Sequence, residues 1–410
     1  MIDFGALASS VFPFAAAAWV ALAIWLLAGR ALHDLQHRGV RVTRHRLVPR
    51  GKELTRDEHA KRARGLLATL PPRAIERLAA DSVMPPWLAE PFAIHVLQGK
   101  GAARFLRDAS SHRGERGRWR RIVALRILCT AGHPDAPGLL KTALLEGDPD
   151  VAGAAVSLLG TQTSRAAAEL LVRALRERLY SHSRVAAQLD RFALDVPDLI
   201  MPLVRDADPS IRFWCATLLA RYGGSPGVAA GLAALGTDAD PSVRKAAVES
   251  LGVVGGPGAA TTALRLLEDP VWYVRAHAAR ALGDLERSDL APRVLPLLAD
   301  AQWWVRAAAK DALQAMGPSV APAVAGFLEH PDRFARNGAA EVLQNLGVLH
   351  ETAVRAAGSA ASADDVALLE KAAAAGIASG TGNVGRILPA ASDRIRMLVA
   401  PMAPPEMQVP

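Results

Sequence analysis

The stretch DAQWWVRAAAKDAL, Asp300–Leu313, decides the fold. It sets an acid, two tryptophans and an arginine ahead of a segment made mostly of alanine. The same plan recurs as DPVWYVRAHAARAL at Asp269–Leu282, DPSVRKAAVESL at Asp240–Leu251, DPSIRFWCATLL at Asp208–Leu219 and PDRFARNGAAEVL at Pro331–Leu343. Aligned on Arg212, Arg244, Arg275, Arg306 and Arg336, the units step by 32, 31, 31 and 30 residues. A fixed period of this size marks a stack of like units, each burying its apolar face against the next.

The register extends backwards through Arg184, Ala152 and Arg121. Three residues after each anchor stands a small residue: Ala124, Ala155, Ala187, Cys215, Ala247, Ala278, Ala309, Ala339. Seven residues after it stands a leucine: Leu128, Leu159, Leu219, Leu251, Leu282, Leu313, Leu343. Arg191 breaks this second column, so the unit around Arg184 is irregular. Spacings of three, four and seven share one helical face. A small column lets helices approach closely, and a leucine column fills the seam.

The unit DPxVRxxAxxxL resembles the bacterial HEAT-like repeat, the type seen in phycobilisome-lyase relatives. The likeness covers residues 118–350 and is strongest over 206–347. It implies an all-α solenoid of paired antiparallel helices, stacked into a curved right-handed array. It also implies a structural ladder of Arg212, Arg244, Arg275, Arg306 and Arg336, each bonding an aspartate or a carbonyl at the inter-helix turn. Arg212 lies four residues after Asp208 and Arg244 four after Asp240. The residues support the helical reading independently. Asp208, Asp240 and Asp269 suit the N-cap, and Pro209, Pro241 and Pro270 the first helical position.

Composition agrees. Aromatic residues make up 5% of the 410 and nothing alternates as a strand does, which argues all-α. Cys129 and Cys215 fall in expected helix cores without metal spacing, so they read as buried, inert thiols.

Phe4–Gly29 contains no charged residue over 26 positions, and about 20 suffice to span a bilayer. Only Asp3 precedes it among charged residues, unlike the basic start of a cleaved signal. A retained single span is therefore expected. Basic residues follow it, so the positive-inside rule puts the amino terminus outside and the repeats in the cytoplasm, at the inner membrane. Residues 27–126 hold 22 basic and 9 acidic side chains, while residues 127–410 hold 26 basic and 30 acidic. The net charge of +8 is thus concentrated near the span. Arg38, Arg41, Arg44, Arg46, Arg50 and Lys52 are expected to meet anionic lipid headgroups. A nucleic-acid footprint needs a basic stripe along the repeats, which the charge distribution argues against.

The expected organisation is an anchor at 1–30, a basic linker at 31–54, a helical N-terminal cap at 55–117 and the HEAT-like solenoid at 118–350. A capping segment at 351–388 and a disordered tail at 389–410 follow. TRDE at Thr55–Glu58 resembles a capping box opening the N-terminal cap.

Signals of catalysis are weak. GTGNVG at Gly380–Gly385 matches a dinucleotide fingerprint but lacks the strand–helix context that gives it meaning. His33 and His37 share a helical spacing without a third ligand. His277 sits beside a repeat seam and reads as structural. No catalytic residue, metal or cofactor is assigned.

The pairs Trp272–Tyr273 and Trp303–Trp304 stand out. Measured from Asp269, each looks like a two-residue addition to the turn that Asp208–Arg212 lacks. Adjacent residues point different ways, so one of each pair is expected to pack in the seam and the other to stay exposed, as an interface anchor. The function this implies is a non-enzymatic, membrane-anchored adaptor binding another protein, itself membrane-embedded in one version. The alternatives are a bilin-lyase-like HEAT-repeat enzyme or chaperone, which the resemblance implies, and a nucleic-acid-binding repeat protein. The alanine- and arginine-rich composition suits a bacterial source.

Overall fold

The computed structural model describes residues 86–357 apart from 99, 111–113 and 226, then residues 362–378, and scattered positions between 61 and 75. Among the described residues there are helices, turns and bends, and no strand. The chain divides into two compact units, Met1–Thr161 and Gln162–Pro410.

In the first unit, Gly114–Thr130 and Pro149–Leu159 are long helices, with Ala136–Leu145 packed against both. Ala124, Leu128, Ala155 and Leu159 are buried, as the columns require. Asp148 caps the Pro149 helix, its carboxylate accepting the N–H groups of Asp150 and Val151 at 3.0 and 3.1 Å.

The second unit carries the regular repeats. Each pairs a short helix with a long one. The long helices are Pro209–Leu219, Pro241–Val254, Trp272–Asp284, Trp303–Ala315 and Arg333–Asn345. The short ones are Pro197–Ile200, Val228–Leu235, Ala259–Leu266, Ala291–Val294 and Ala321–Gly326, the first and the last two each continued by a 3-10 turn. Successive long helices pack side by side. Cys215, Ala247, Ala278, Ala309 and Ala339 are inaccessible to solvent, and so are Leu219, Leu251, Leu282, Leu313 and Leu343. The small column does what its size permits. A methyl group on Gly283 would lie 2.8 Å from the Ala312 Cα of the next long helix, so only hydrogen fits there. Ala363–Ala378 forms a further helix against Arg333–Asn345, burying Leu369, Ala372 and Ala375.

Two local readings change. In the irregular unit, Arg184 is exposed and Ala187 only half-buried. Val185, Ala186 and Leu189 face the core instead, two residues out of the expected register. His182 therefore stands where an arginine anchor was expected. The second change concerns Asp269. The Trp272 helix is capped by Val271, and the Trp303 helix by Gln302. Asp269 precedes its helix by three residues and is not an N-cap, nor is Pro270 the first helical position.

The inner-membrane location is also corrected. Among the described residues no helix is long and apolar enough to cross a membrane. The physical reason is length and charge: Gly114–Thr130 is the longest at 17 residues and carries several arginines, against about 20 apolar residues for a span. Phe4–Gly29, on which that expectation rested, lies outside the described residues, as do Arg38, Arg41, Arg44, Arg46, Arg50 and Lys52. So do Thr55–Glu58, His33, His37, Gly380–Gly385 and the tail.

Candidate interaction surface

Correcting the role of Asp269 corrects the whole register. Asp269 is equivalent to Asp206, Asp238 and Asp300, each six residues before its arginine, and not to Asp208 or Asp240. All four use one carboxylate oxygen to accept the backbone N–H two residues on, at 2.8–3.0 Å. The turns are then equal in length, and the aromatic pairs are not insertions. Trp272–Tyr273 and Trp303–Trp304 fill the first two helical positions, which Pro209–Ser210 and Pro241–Ser242 fill in the earlier repeats.

That placement makes a ridge. The first two helical positions lie off the seam face, which the residues three and seven places after the arginine fill. Trp303 and Trp304 stack at 4.1 Å between ring centroids and stay 55% and 50% exposed. Trp272 is 39% exposed and meets Tyr273 edge-on at 5.6 Å, with Tyr273 packed against the core. The first pair thus splits into one inward and one outward ring, whereas both indoles of the second remain outside. Their mutual stacking removes the need for either to enter the seam. The next repeat adds Phe334 at its second helical position, 42% exposed. Sequence reasoning missed it, although its register position was the signal.

Three of the five arginines form a ladder, and its rungs run between repeats. Arg212 Nε and Nη2 donate to both oxygens of Asp238 at 2.6 and 2.8 Å. Arg244 grips Asp269 at 2.7 and 2.9 Å, and Arg275 grips Asp300 at 2.8 and 3.0 Å. In each case Nη1 turns back to two carbonyls of its own turn, as Arg212 does to Asp206 and Ala207 at 2.8 and 3.0 Å. One planar guanidinium thereby ties two successive turns together, a geometry lysine cannot copy. Asp208, the acid expected to pair with Arg212, instead receives Arg178. In the first unit Arg121 and Glu146 make a rung at 25 residues, the spacing of Arg244–Asp269 and Arg275–Asp300.

Charge is tuned accordingly. Burial pushes the Asp238 carboxyl up, but Arg212, the Asp240 N–H and Arg244 outweigh it and hold it below its ordinary value. Asp269 is held down in the same way by Arg244, the Val271 N–H and Arg275, against its burial. His277 is pulled down by burial, with Glu249 opposing.

The ladder stops at His330. This residue occupies the aspartate position: its Nδ1 accepts the Asp332 N–H at 3.1 Å, as Asp300 accepts that of Gln302. Its ring stacks on Phe327 at 5.2 Å. Arg306 keeps its carbonyl contacts, donating to Asp300 and Ala301 at 2.7 and 3.1 Å. Among the described residues its Nε–Nη2 edge meets no carboxylate. The guanidinium lies over the Phe334 ring at 4.3 Å. Arg336 likewise bonds the His330 and Pro331 carbonyls at 2.7 and 2.8 Å.

Beside Arg306 lies a cleft of about 150 Å³ walled by Trp303, Lys310, Phe334 and the helix backbone at Gly338. Elsewhere the nucleophile inventory is quiet. Burial pushes both the Cys129 and Cys215 thiols up to about 12, so neither is a thiolate near neutral pH. Cys215 donates its S–H to the Ile200 carbonyl at 3.4 Å. Among the described residues no three His, Cys, Asp or Glu side chains gather as a metal site requires.

The family model for HEAT repeats matches residues 196–271 and 262–344. No curated protein sequence matches the chain. Among solved structures, the chain is similar to the complex of CpcE and CpcF of phycocyanin lyase from Nostoc sp. PCC7120. There 22% of aligned residues are identical, 51% of this chain and 96% of that one are covered, and the TM-score is 0.32. The karyopherin Kap121p, in its structure bound to the SUMO protease Ulp1p, shows 14% identity over 87% of this chain and 47% of its own, with a TM-score of 0.45. The chain thus spans about half the length of Kap121p. Human deoxyhypusine hydroxylase shows 19% identity over 60% of this chain and 96% of its own, with a TM-score of 0.26. Repeat period, buried columns and family match agree: residues 196–344 are HEAT repeats.

Proposed function

We propose that this protein is a non-catalytic scaffold whose HEAT repeats bind another protein along the ridge of Trp272, Tyr273, Trp303 and Trp304. The observation that carries the reading is the stacked Trp303–Trp304 pair, half-exposed where the repeats at Pro209 and Pro241 place Pro–Ser. Burying such rings in the seam stabilises a fold. Leaving two of them in water does not, and clustered exposed aromatics are the usual anchors of protein interfaces. A stack of repeats also presents extended surface rather than a closed catalytic chamber. The arginine ladder holds the turns that carry the ridge in a fixed relation, which reduces the ordering cost of docking.

The test is affinity capture of the full chain from its source cells, alongside Trp303→Ala/Trp304→Ala and a Val253→Ala control on another exposed position. A stoichiometric protein retained by the control and lost by the double variant supports the reading. A partner indifferent to the double variant, or none, contradicts it.

A further inference from the structure

We propose that the cleft beside Arg306 is a receptor for one carboxylate, an Asp or Glu side chain in an extended segment of the partner protein, which completes the ladder in place of the missing aspartate. This deepens the scaffold reading and rests on it.

The argument begins with three precedents inside the same molecule. At Arg212, Arg244 and Arg275 the Nε–Nη2 edge holds both oxygens of a carboxylate from the next repeat. The fourth arginine is held by the same two carbonyl contacts, so it is pre-positioned in the same way. Its expected acid is His330, whose Nδ1 is already committed to the Asp332 N–H and whose ring is stacked on Phe327. Among the described residues no acid of this chain takes that edge of Arg306. A charged group prepared for bidentate recognition is left without its acid.

The surroundings select the occupant. Arg306 lies over the Phe334 ring at 4.3 Å, so the site carries a guanidinium beside an aromatic face. Lys310 is the second cation on this wall and is occupied by Glu341 at 2.6 Å. The charge complement is therefore an anion, and the fork geometry favours a planar carboxylate. A cleft of about 150 Å³ has room for a group of benzene's size and not for a large cofactor. Trp303, which forms both cleft wall and ridge, supplies apolar contact for the residue flanking the acid. An extended peptide with alternating acidic and apolar residues meets all of these at once. A phosphodiester strand would meet the cations, but the ladder's own ligand chemistry is carboxylate.

The test uses the full chain and a fluorescein-labelled peptide in which Asp and Glu alternate with leucine, set against the same peptide carrying Asn and Gln. Fluorescence anisotropy should show the acidic peptide binding at least about tenfold more tightly, the scale of one charge-assisted contact. Arg306→Gln should abolish that preference. His330→Asp is the sharper probe, because it restores the missing acid in the chain itself. It should close the site and cost the same factor of about ten, without lowering the melting temperature. His330→Asn, which keeps an acceptor for the Asp332 N–H but adds no charge, should retain binding. Equal binding of the two peptides, no binding of the acidic one, or binding that survives His330→Asp overturns the proposal. So does competition by inorganic phosphate or single-stranded DNA that matches the acidic peptide in affinity and in dependence on Arg306. If the peptide results fail while Trp303→Ala/Trp304→Ala still strips the partner, the scaffold stands and the carboxylate receptor falls.

Discussion

Arg244 holds both carboxylate oxygens of Asp269, 25 residues ahead of it, while its third nitrogen returns to the carbonyls of Asp238 and Ala239 at 2.9 and 3.1 Å. Both side chains are largely withdrawn from solvent. One residue thus binds the turn of its own repeat to the turn of the next, and the partner acid belongs to the next repeat's turn. The relation explains how a stack of short helices keeps a constant register without long loops.

Asp269→Asn should therefore cost about 1–3 kcal/mol, since it leaves a partly buried guanidinium short of a charged acceptor. Urea unfolding of the full chain, followed by circular dichroism, would show this as a lowered midpoint. A midpoint unchanged within error would mean that the rung is decorative.

The same rungs set a pH dependence. Asp238 and Asp269 have folded pKa values below their ordinary ones, despite burial, because of Arg212 and Arg244 respectively. A depressed folded pKa contributes stability above the unfolded value, and that contribution is lost as pH falls through the folded value. The unfolded reference is about 3.9. Melting temperatures of wild type and Asp238→Asn should differ at neutral pH and converge below about pH 4. A gap that persists at low pH would mean that the carboxylate charge is not what stabilises the turn.

Glycine in a helix is ordinarily a weakness, and replacing it with alanine gains up to about 1 kcal/mol. Gly138 has open space around its missing Cβ, so Gly138→Ala should follow that rule. Gly283 should reverse it. Its Cβ would press on the Ala312 Cα at 2.8 Å and on the Ala312 carbonyl oxygen at 3.2 Å, and overpacking of this kind costs about 1–3 kcal/mol. Thermal melts of the two variants should move in opposite directions. A stabilised Gly283→Ala would show that the helices separate easily.

If the ridge exists for docking, the fold should scarcely need it. Trp303→Ala/Trp304→Ala should change stability by less than about 1 kcal/mol, since both rings already face water. Leu313→Ala, from the fully buried column of the same helix, should cost about 2–5 kcal/mol. Comparable losses from both variants would recast the indoles as core.

Much of this was legible in the sequence, for a physical reason. A 31-residue period with small and leucine columns reports packing between neighbouring helices, and packing repeats wherever the unit repeats. The buried faces around Ala247, Ala278 and Ala309 follow directly. The ladder was legible only in part. Its arginines announce themselves by spacing, but their carboxylate partners lie a whole repeat away. Asp208 and Asp240, four residues before their arginines, were the more tempting partners and proved to be caps. Reading Asp269 as a cap also made Trp272–Tyr273 and Trp303–Trp304 look inserted, when they replace Pro–Ser at the same two positions. Phe334 was passed over on the same misalignment. The break at His330 needed the corrected register before it could be seen at all. In the irregular unit, Arg184 drew the alignment two residues away from the core face set by Val185, Ala186 and Leu189.

The central claim is that the aromatic ridge is where a partner protein docks. The most direct measurement places a photoreactive benzophenone side chain at Trp304 in the full chain, and in parallel at Val253, which is more open to solvent still, on another long helix. Irradiation in the source cells should give one discrete protein adduct from position 304 and none from 253. The same adduct from both positions, or no adduct from 304, would contradict the account.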